Sequence, residues 1–540
     1  MTKKFSWYLF FIFLAEAMSL VGFFIPQIRV AGFFIIAIAA ILLAVEKLEY
    51  GILFLYAELF IGSKGYLFFY EYEGALFSIR IALFLVVMSA WFGKVMLNWA
   101  DISKAPEMEI DPLIKKSKHF SWSELLNVQQ KKIATQAKSM TLKKKYWHEI
   151  NFYFMLLFLS VVWGLINGVW QRNGFGNIFY DFNNWLYFVV IFPMIYVFKK
   201  VDSKVLDNFL KKLFILFAAA VTWLSLKTLI LFFIFSRSFF GGADLIYQWV
   251  RDSGIGEITA TGGGFRRIFI QSQIYISIAL FIFSALALQA LIKKQSSLLI
   301  KNLTILIICA AVVLASLSRS FWLGVIVGML FFYATLILFL TKKWKNIIKH
   351  LLLMIVVSVA GFGLLFILAV WPYPPAGMFN VSIFKNRASD LSGEAAVSSR
   401  WNLLPNLWQE IKIHPWRGQG FGAEVTYQTN DPRILAKNHS GCYTTYAFEW
   451  GWLDIWLKLG FFGLVAYMAL IIKIIIDGWL IIKNSDFDEN KLVVIALLSG
   501  LIMLVTTSIV SPYLNHPLGI SYLLIVALVF KYHKKLPAKN

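Results

Sequence analysis

Apolar stretches of roughly 18 or more residues recur from one end of the chain to the other, separated by shorter polar segments. Each is long enough to cross a bilayer core of about 30 Å as a helix, whereas buried helices of soluble proteins are usually shorter and carry a polar face. The pattern predicts an all-α polytopic membrane protein with about 14 transmembrane helices. They fall near residues 5–25, 29–45, 48–63, 75–97, 150–169, 183–198, 212–236, 267–292, 297–317, 320–340, 350–371, 452–476, 491–510 and 515–531. The third is the weakest, because YGILFLYAELFIG is short and carries Glu58. These spans divide the chain into N-terminal membrane helices (1–97), a basic loop (98–149), central membrane helices (150–371), a large partly helical loop (372–451), and C-terminal membrane helices with a basic tail (452–540).

The distribution of charge orients this pattern, since cytoplasmic loops carry the excess of Lys and Arg. Residues 98–149 hold ten lysines against six acidic residues. KKVDSKVLDNFLKK, IKKQSSLLIKN, TKKWKNIIKH and the tail KYHKKLPAK are also basic. On the predicted span count all of these fall on one side together with the N-terminal MTKK, so both termini are expected inside the cell. FYEYEG, QRNGFGNIFYDFNN, residues 237–266 and residues 372–451 are then expected on the outer face of the cytoplasmic membrane.

Composition sharpens this reading. Of 540 residues 59% are apolar and 15% charged, and mean hydropathy is +0.70. The net charge of +22 would point to nucleic acid in a soluble chain, but most of it sits between spans, where it sets topology. No nucleic-acid partner is therefore expected, and the lipid bilayer is. Of the two cysteines, Cys309 lies in an apolar span and Cys442 in a polar loop, at different depths, so no disulfide is expected. The N-terminal run is long and has no small-x-small cleavage site, which makes it the first span rather than a signal peptide.

Two outer segments stand out. Residues 237–266 are rich in glycine (GGAD, GIGE, TGGGF). Residues 372–451 are far longer than an ordinary connection and are not of low complexity. Within them SRWNLLPNLWQEIKI spaces Trp401, Leu404, Trp408 and Ile411 as an interfacial amphipathic helix would, with Pro405 expected to delay or kink it.

Candidate chemistry gathers on this outer side. Arg319 lies between two apolar spans with almost no loop between them. Such an arginine can simply snorkel to headgroups, or it can bind phosphate oxygens bidentately with its planar, permanently charged fork. Arg400 opens the amphipathic segment, and Arg266 and Arg267 end the Gly-rich loop. Each alone can be a solvated charge, but four cations converging on an outer face fit a diphosphate. His439, in AKNHSGCYTTYAFEWGW, is either a surface residue or a general base acting near neutral pH. It has no second histidine at three or four residues, so no metal site is expected. Asp390, Glu424 and Glu449 are supporting candidates for orientation or acid–base work. Trp401, Trp408, Trp416, Trp450 and Trp452 can rim a sugar site or anchor the loop at the membrane interface. No P-loop, GxSxG or HExxH motif is present, so nothing in the chain points to cytosolic nucleotide chemistry.

LSRSFWLG at 317–324, SRW at 399–401 with HPWRGQGFG at 414–422, and NHS at 438–440 followed by WLKLGFFGLV at 456–465 occur in that order. In this the chain resembles the bacterial O-antigen ligase family, the superfamily that also holds O-antigen polymerases and protein O-oligosaccharyltransferases. The likeness covers roughly residues 265–475, with DFNNWLYF at 181–188 and GFRRIF at 264–269 as softer points. It implies a membrane fold of the C-type glycosyltransferase kind and a metal-independent glycosyltransferase that needs no cofactor. The implied donor is a glycan on undecaprenyl diphosphate, and the acceptor a lipid core, a growing polysaccharide or a protein. It also implies that Arg319 and Arg400 hold the diphosphate and that His439 activates the acceptor hydroxyl. The chain has more predicted spans than is usual for the family, and its 98–149 segment is an unusual insert. A transporter or flippase of lipid-linked glycans is the competing reading. Sparse charge within the spans, no repeated halves and the long outer loop speak against it. A structural or sensory membrane protein is a third reading.

Overall fold

The computed structural model describes residues 2–103, 150–199, 203–237, 241–261, 265–371, 395–429, 432–436, 438–485 and 488–533. In the N-terminal part, helices α1 (Thr2–Phe24), α2 (Pro26–Glu46) and α3 (Leu48–Ile61) precede a hairpin of β1 (Phe69–Tyr72) and β2 (Ala75–Ser78), then α4 (Ile79–Ser103). The central part runs through α5 (Ile150–Trp170), α6 (Phe175–Trp185), a 3-10 turn, α7 (Ile191–Lys199) and α8 (Ser203–Arg237). A short α9 (Ala243–Asp252) and a hairpin of β3 (Glu257–Ala260) and β4 (Arg266–Phe269) lead into α10 (Gln273–Ile292), α11 (Ser296–Ala315), α12 (Arg319–Phe339) and α13 (Trp344–Val370). The C-terminal part comprises α14 (Ala395–Ile413), a hairpin of β5 (Val425–Gln428) and β6 (Cys442–Thr445), α15 (Gly451–Asn484), α16 (Asp488–Thr507) and α17 (Pro517–His533).

Among the described residues, twelve helical segments are long and apolar enough to cross a membrane. The third and last predicted spans correspond to α3 and α17, of 14 and 17 residues. Both nevertheless run from one end of the bundle to the other. Glu49, in the first turn of α3, pairs with Lys212, and beyond its end lies Ser63, whose backbone N–H donates to Ser272 Oγ. α17 begins where the Leu518 carbonyl accepts from Tyr275, and near its end Tyr532 packs on Phe198. α3 is enclosed by protein, with ten of its residues buried.

α10 is the central helix, buried on nearly all sides and packed by α8, α11, α13 and α16. Leu42, Leu330 and Val359 stand exposed on outward helix faces. Water would not tolerate such continuous apolar surface, whereas acyl chains cover it at no cost.

The segments assigned to the outer face meet at one end of this bundle. The 62–66 turn touches the 254–272 region through Lys64 beside Gly254 and through the Ser63–Ser272 hydrogen bond. Arg267 reaches the Ser316 carbonyl, Tyr513 reaches that of Gln271, and Trp163 donates to that of Arg417. The Gly-rich segment folds into α9 and the β3–β4 hairpin, so Arg267 sits on a strand six residues before the helix rather than at its start. Most of 171–184, expected as loop, is helical and buries Asp181.

The outer loop docks through its glycines. Gly418, Gly420 and Gly422 all have positive φ (72°, 82° and 77°). α15 breaks at Gly460 (φ 73°, ψ 178°), a conformation essentially limited to glycine. The break frees the carbonyls of Leu457 and Lys458, which accept from the N–H groups of Gln419 and Gly420, while Phe461 N–H donates to Pro415. The HPWRGQGFG turn is thus threaded into the break, and the glycines of this motif serve close backbone approach.

Candidate functional site

Three of the four predicted arginines converge at the outer-loop end of the bundle. Arg319 opens α12, where unpaired backbone N–H groups favour anions. Ahead of it, Leu317 holds a left-handed φ of 45°, and the Ser316 hydroxyl accepts from Ser318 N–H. The Ser318, Ser320 and Ser511 hydroxyls form a chain of 3.0 Å contacts beside this helix start. Arg267, on β4, donates through Nε to the Ser316 carbonyl at 2.9 Å and lies 4.0 Å from the Glu257 carboxylate. Arg400, on α14, pairs with Glu449. Its main-chain carbonyl accepts from the Trp450 indole at 3.0 Å, and the Trp401 and Trp450 rings meet edge to face at 5.4 Å.

The three guanidinium groups feel one another. Burial and then the charges of Arg267 and Arg319 lower the Arg400 pKa to about 10, with Glu257 opposing. Burial likewise lowers that of Arg267, against the pull of Glu257. All stay charged at neutral pH, so the site is a cluster of crowded, partly desolvated cations whose repulsion an anion would relieve.

Arg266 is not part of this cluster. It pairs with Ala260 and Arg267 with Thr259, and successive side chains on a strand point to opposite faces. Glu257 shares the Arg267 face, so Arg266 is directed away.

His439 is exposed, in the turn before β6, and makes no hydrogen bond or ion pair with the described residues. The turn is ordered by Asn438, whose side chain bonds Cys442 and Ser440. It is also tied to the arginine helix: Thr429 N–H donates to the Gly441 carbonyl, and Thr429 Oγ1 donates to Ser399, the residue before Arg400. Glu424 is exposed and accepts from Asn177 at 2.6 Å, away from the arginines. Trp401 is exposed on α14. Asp390 lies outside the described residues. The predicted stripe on α14 is displaced: Leu403, Leu407 and Ile411 are buried against Ala423, Val425 and Phe448, and Trp401 and Trp408 face outward. Pro405 lies within this helix, which starts earlier than expected.

A second polar centre lies at the same end. Lys458 Nζ sits 2.8 Å from Asp181 and 2.7 Å from Asp454, all three buried. Asp181 also accepts from Gly422 N–H at 2.8 Å, and Asn515 donates to Asp454. Behind it Arg80 makes a two-point contact with Glu58 and donates to the Ser63 carbonyl. His516 Nδ1 accepts from Leu518 N–H at 3.3 Å, capping α17 ahead of Pro517 at its first position. Burial, then Arg80 and Lys64, push the His516 pKa down to about 3, so the ring is neutral with its proton on Nε2. Tyr513 joins the two centres: its ring lies 6.4 Å from that of His516 and 5.7 Å from Phe321, and it is close enough to Arg267 for their charges to interact. Sequence reasoning missed this centre. Its signals are Asp454 and Lys458, charges four residues apart inside a predicted apolar span, which are costly there unless they have partners; Asp181 lies in a stretch that reads as loop.

Residues 304–468 match the family model described as O-antigen ligase. Comparisons with curated proteins and with solved structures give no match. The matched stretch holds Arg319, Arg400, His439 and Lys458, while Arg267, Asp181 and the 508–516 loop lie outside it.

Proposed function

We propose that this protein, which through residues 304–468 belongs to the O-antigen ligase family, transfers a glycan from undecaprenyl diphosphate to an acceptor hydroxyl at the outer face of the cytoplasmic membrane. The observation that carries this reading is the convergence of Arg267, Arg319 and Arg400 at the start of a membrane helix. A lipid diphosphate anchored in the bilayer presents its charge at that level. Fixed guanidinium groups and the α12 N-terminus stabilise the negative charge that grows on the departing diphosphate. The reaction breaks the bond between the anomeric carbon and the diphosphate oxygen and forms one to the acceptor oxygen. His439 takes the proton of that hydroxyl, a role assigned by the family resemblance and supported by its place in a turn bonded to the Arg400 helix. The meeting of all segments predicted outside at one end, and the full passage of α3 and α17 between ends, support fourteen crossings with both termini inside.

Purified protein in vesicles, supplied with glycan-bearing undecaprenyl diphosphate and a candidate acceptor, tests this. Arg319→Lys should lose at least about tenfold in transfer, because the charge stays but the two-point contact does not. His439→Ala should lose about 10² to 10⁴ while still binding donor lipid. A lysine variant with unimpaired transfer would return Arg319 to a snorkelling role, and a fully active alanine variant would remove His439 from the mechanism.

A further inference from the structure

The outward face of α14 carries two tryptophans that differ from their neighbours. Trp450, Trp456 and Trp163 donate their indole N–H groups to the carbonyls of Arg400, Pro415 and Arg417, and so tie the outer loop to α15 and α5. Trp401 and Trp408 are 53% and 39% exposed, and their indole N–H groups have no partner among the described residues. They stand seven residues apart, two turns of helix, and therefore lie on one side of α14 about 10.5 Å from each other along its axis. Each ring is nevertheless braced from behind. Trp401 meets Trp450 edge to face at 5.4 Å, and Trp408 meets Trp456 in the same way at 5.5 Å.

The groups around these rings are polar. Asn402, Gln409 and Lys412 are exposed on the same helix. Gln409 makes no hydrogen bond to the described residues, and Lys412 Nζ stands 5.7 Å from the centre of the Trp408 ring. Acyl chains select a different surface, the aliphatic one at Leu42, Leu330 and Val359. Anchoring at headgroups asks only that an indole reach the interface, not that two be braced in line. Braced rings interleaved with amide and ammonium groups suit a sugar chain. The C–H faces of a sugar rest on an aromatic ring, and its hydroxyls both donate and accept. The stripe also has a defined beginning: Arg400, of the cation cluster, immediately precedes Trp401 on the helix, so the stripe starts at the diphosphate site and leads away from it.

We propose that the outward face of α14 is a glycan platform: the donor's glycan, held by its diphosphate at Arg400, runs along the helix with sugar rings resting first on Trp401 and then on Trp408, and Gln409 and Lys412 bond their hydroxyls. The inference rests on the diphosphate reading of the arginine cluster. Its consequence is selection by length. Stacking accepts many sugars, because it reads a ring face and few hydroxyls, but a glycan too short to cover the distance from Trp401 gains nothing from Trp408. The platform therefore favours donors whose chain is already long.

Binding to the full-length protein in nanodiscs tests this with three probes. They are bare undecaprenyl diphosphate, the same lipid bearing one sugar, and the glycan-bearing donor lipid extracted from cells lacking this protein. The wild type should bind the last most tightly. Trp408→Ala should weaken it by about tenfold, as expected for losing one ring contact. The other two probes should bind this variant as they bind wild type, which also shows that it is folded. Trp408→Tyr should restore part of the difference. If the long glycan adds no affinity over one sugar in the wild type, or if its advantage survives Trp401→Ala with Trp408→Ala, the platform is wrong. Equal weakening of all three probes would make Trp408 a membrane anchor or a brace for α15, and would also overturn it. If Arg319→Ala with Arg400→Ala leaves bare-lipid affinity unchanged, the diphosphate reading falls. Glycan released from the lipid by mild acid then decides the platform alone: it should bind wild type more tightly than Trp408→Ala, and equal binding refutes the proposal. An acceptor glycan on this face would appear as unchanged donor affinity with a raised KM for acceptor, contrary to the assignment.

Discussion

Gly420→Ala tests how the outer loop is held. At φ of 82° an L-residue is strained by about 1–2 kcal/mol. The new Cβ would lie 2.1 Å from the Gly168 nitrogen and 2.4 Å from its Cα. Both are backbone atoms of α5, which cannot step aside as a flexible side chain could. Relief requires the turn to withdraw from the break in α15. That breaks the Gly420 N–H bond to the Lys458 carbonyl and the Phe421 N–H bond to the Gly164 carbonyl, each worth about 1 kcal/mol net. The total is about 3–4 kcal/mol. Thermal unfolding of the detergent-solubilised protein, followed by tryptophan fluorescence, should show a midpoint several degrees lower, with faster proteolysis of the outer loop. Because α14 runs into this turn, Arg400 shifts with it, and transfer should fall as well. Gly93→Ala is the control: it lies within α4 with nothing within 4 Å of its Cβ, and should gain up to about 1 kcal/mol in helix propensity. A Gly420→Ala protein that unfolds together with wild type would refute the threaded-turn account.

Lys458→Met leaves two buried carboxylates without their cation and should cost about 3–5 kcal/mol, whereas Lys458→Met with Asp181→Asn should recover a large part. Equal unfolding midpoints for the two variants would show that the network is not coupled. A pH-dependent effect is expected at His516. Its folded pKa of about 3 lies below the unfolded value near 6.5. The unfolded chain therefore binds the extra proton between these values, and the wild type loses stability as pH falls from about 6.5 toward 3, with no contribution from this group above that window. His516→Asn keeps a helix-capping side chain and should flatten this dependence; identical slopes for both proteins from pH 7 to pH 4 would contradict the half-buried, neutral ring.

The helical membrane class of this protein and the grouping of its loops at the two ends of the bundle are legible in the sequence. Each follows from local quantities: run length, apolar content and the position of lysines. Arg319 and Arg400 were also legible, because a cation at the edge of an apolar run, or a motif in a long loop, is visible without neighbours. What the tertiary structure decided is which groups meet. The separation of Arg266 from Arg267 depends on strand pairing, a contact between segments. The buried face of α14 is set by the hairpin and α15: the periodicity predicts the helix and its exposed Trp401 and Trp408, but only packing decides that Leu403, Leu407 and Ile411 form its inner face. The glycines of HPWRGQGFG are visible as a motif, but that they admit the backbones of α5 and α15 is not. Asp454 and Lys458, four residues apart, are visible as a pair in the sequence, but Asp181 lies 277 residues from Lys458 in a stretch that reads as loop. A buried charge is stable only beside its partner, and the partner is chosen by packing, so the second centre exists only in the folded protein.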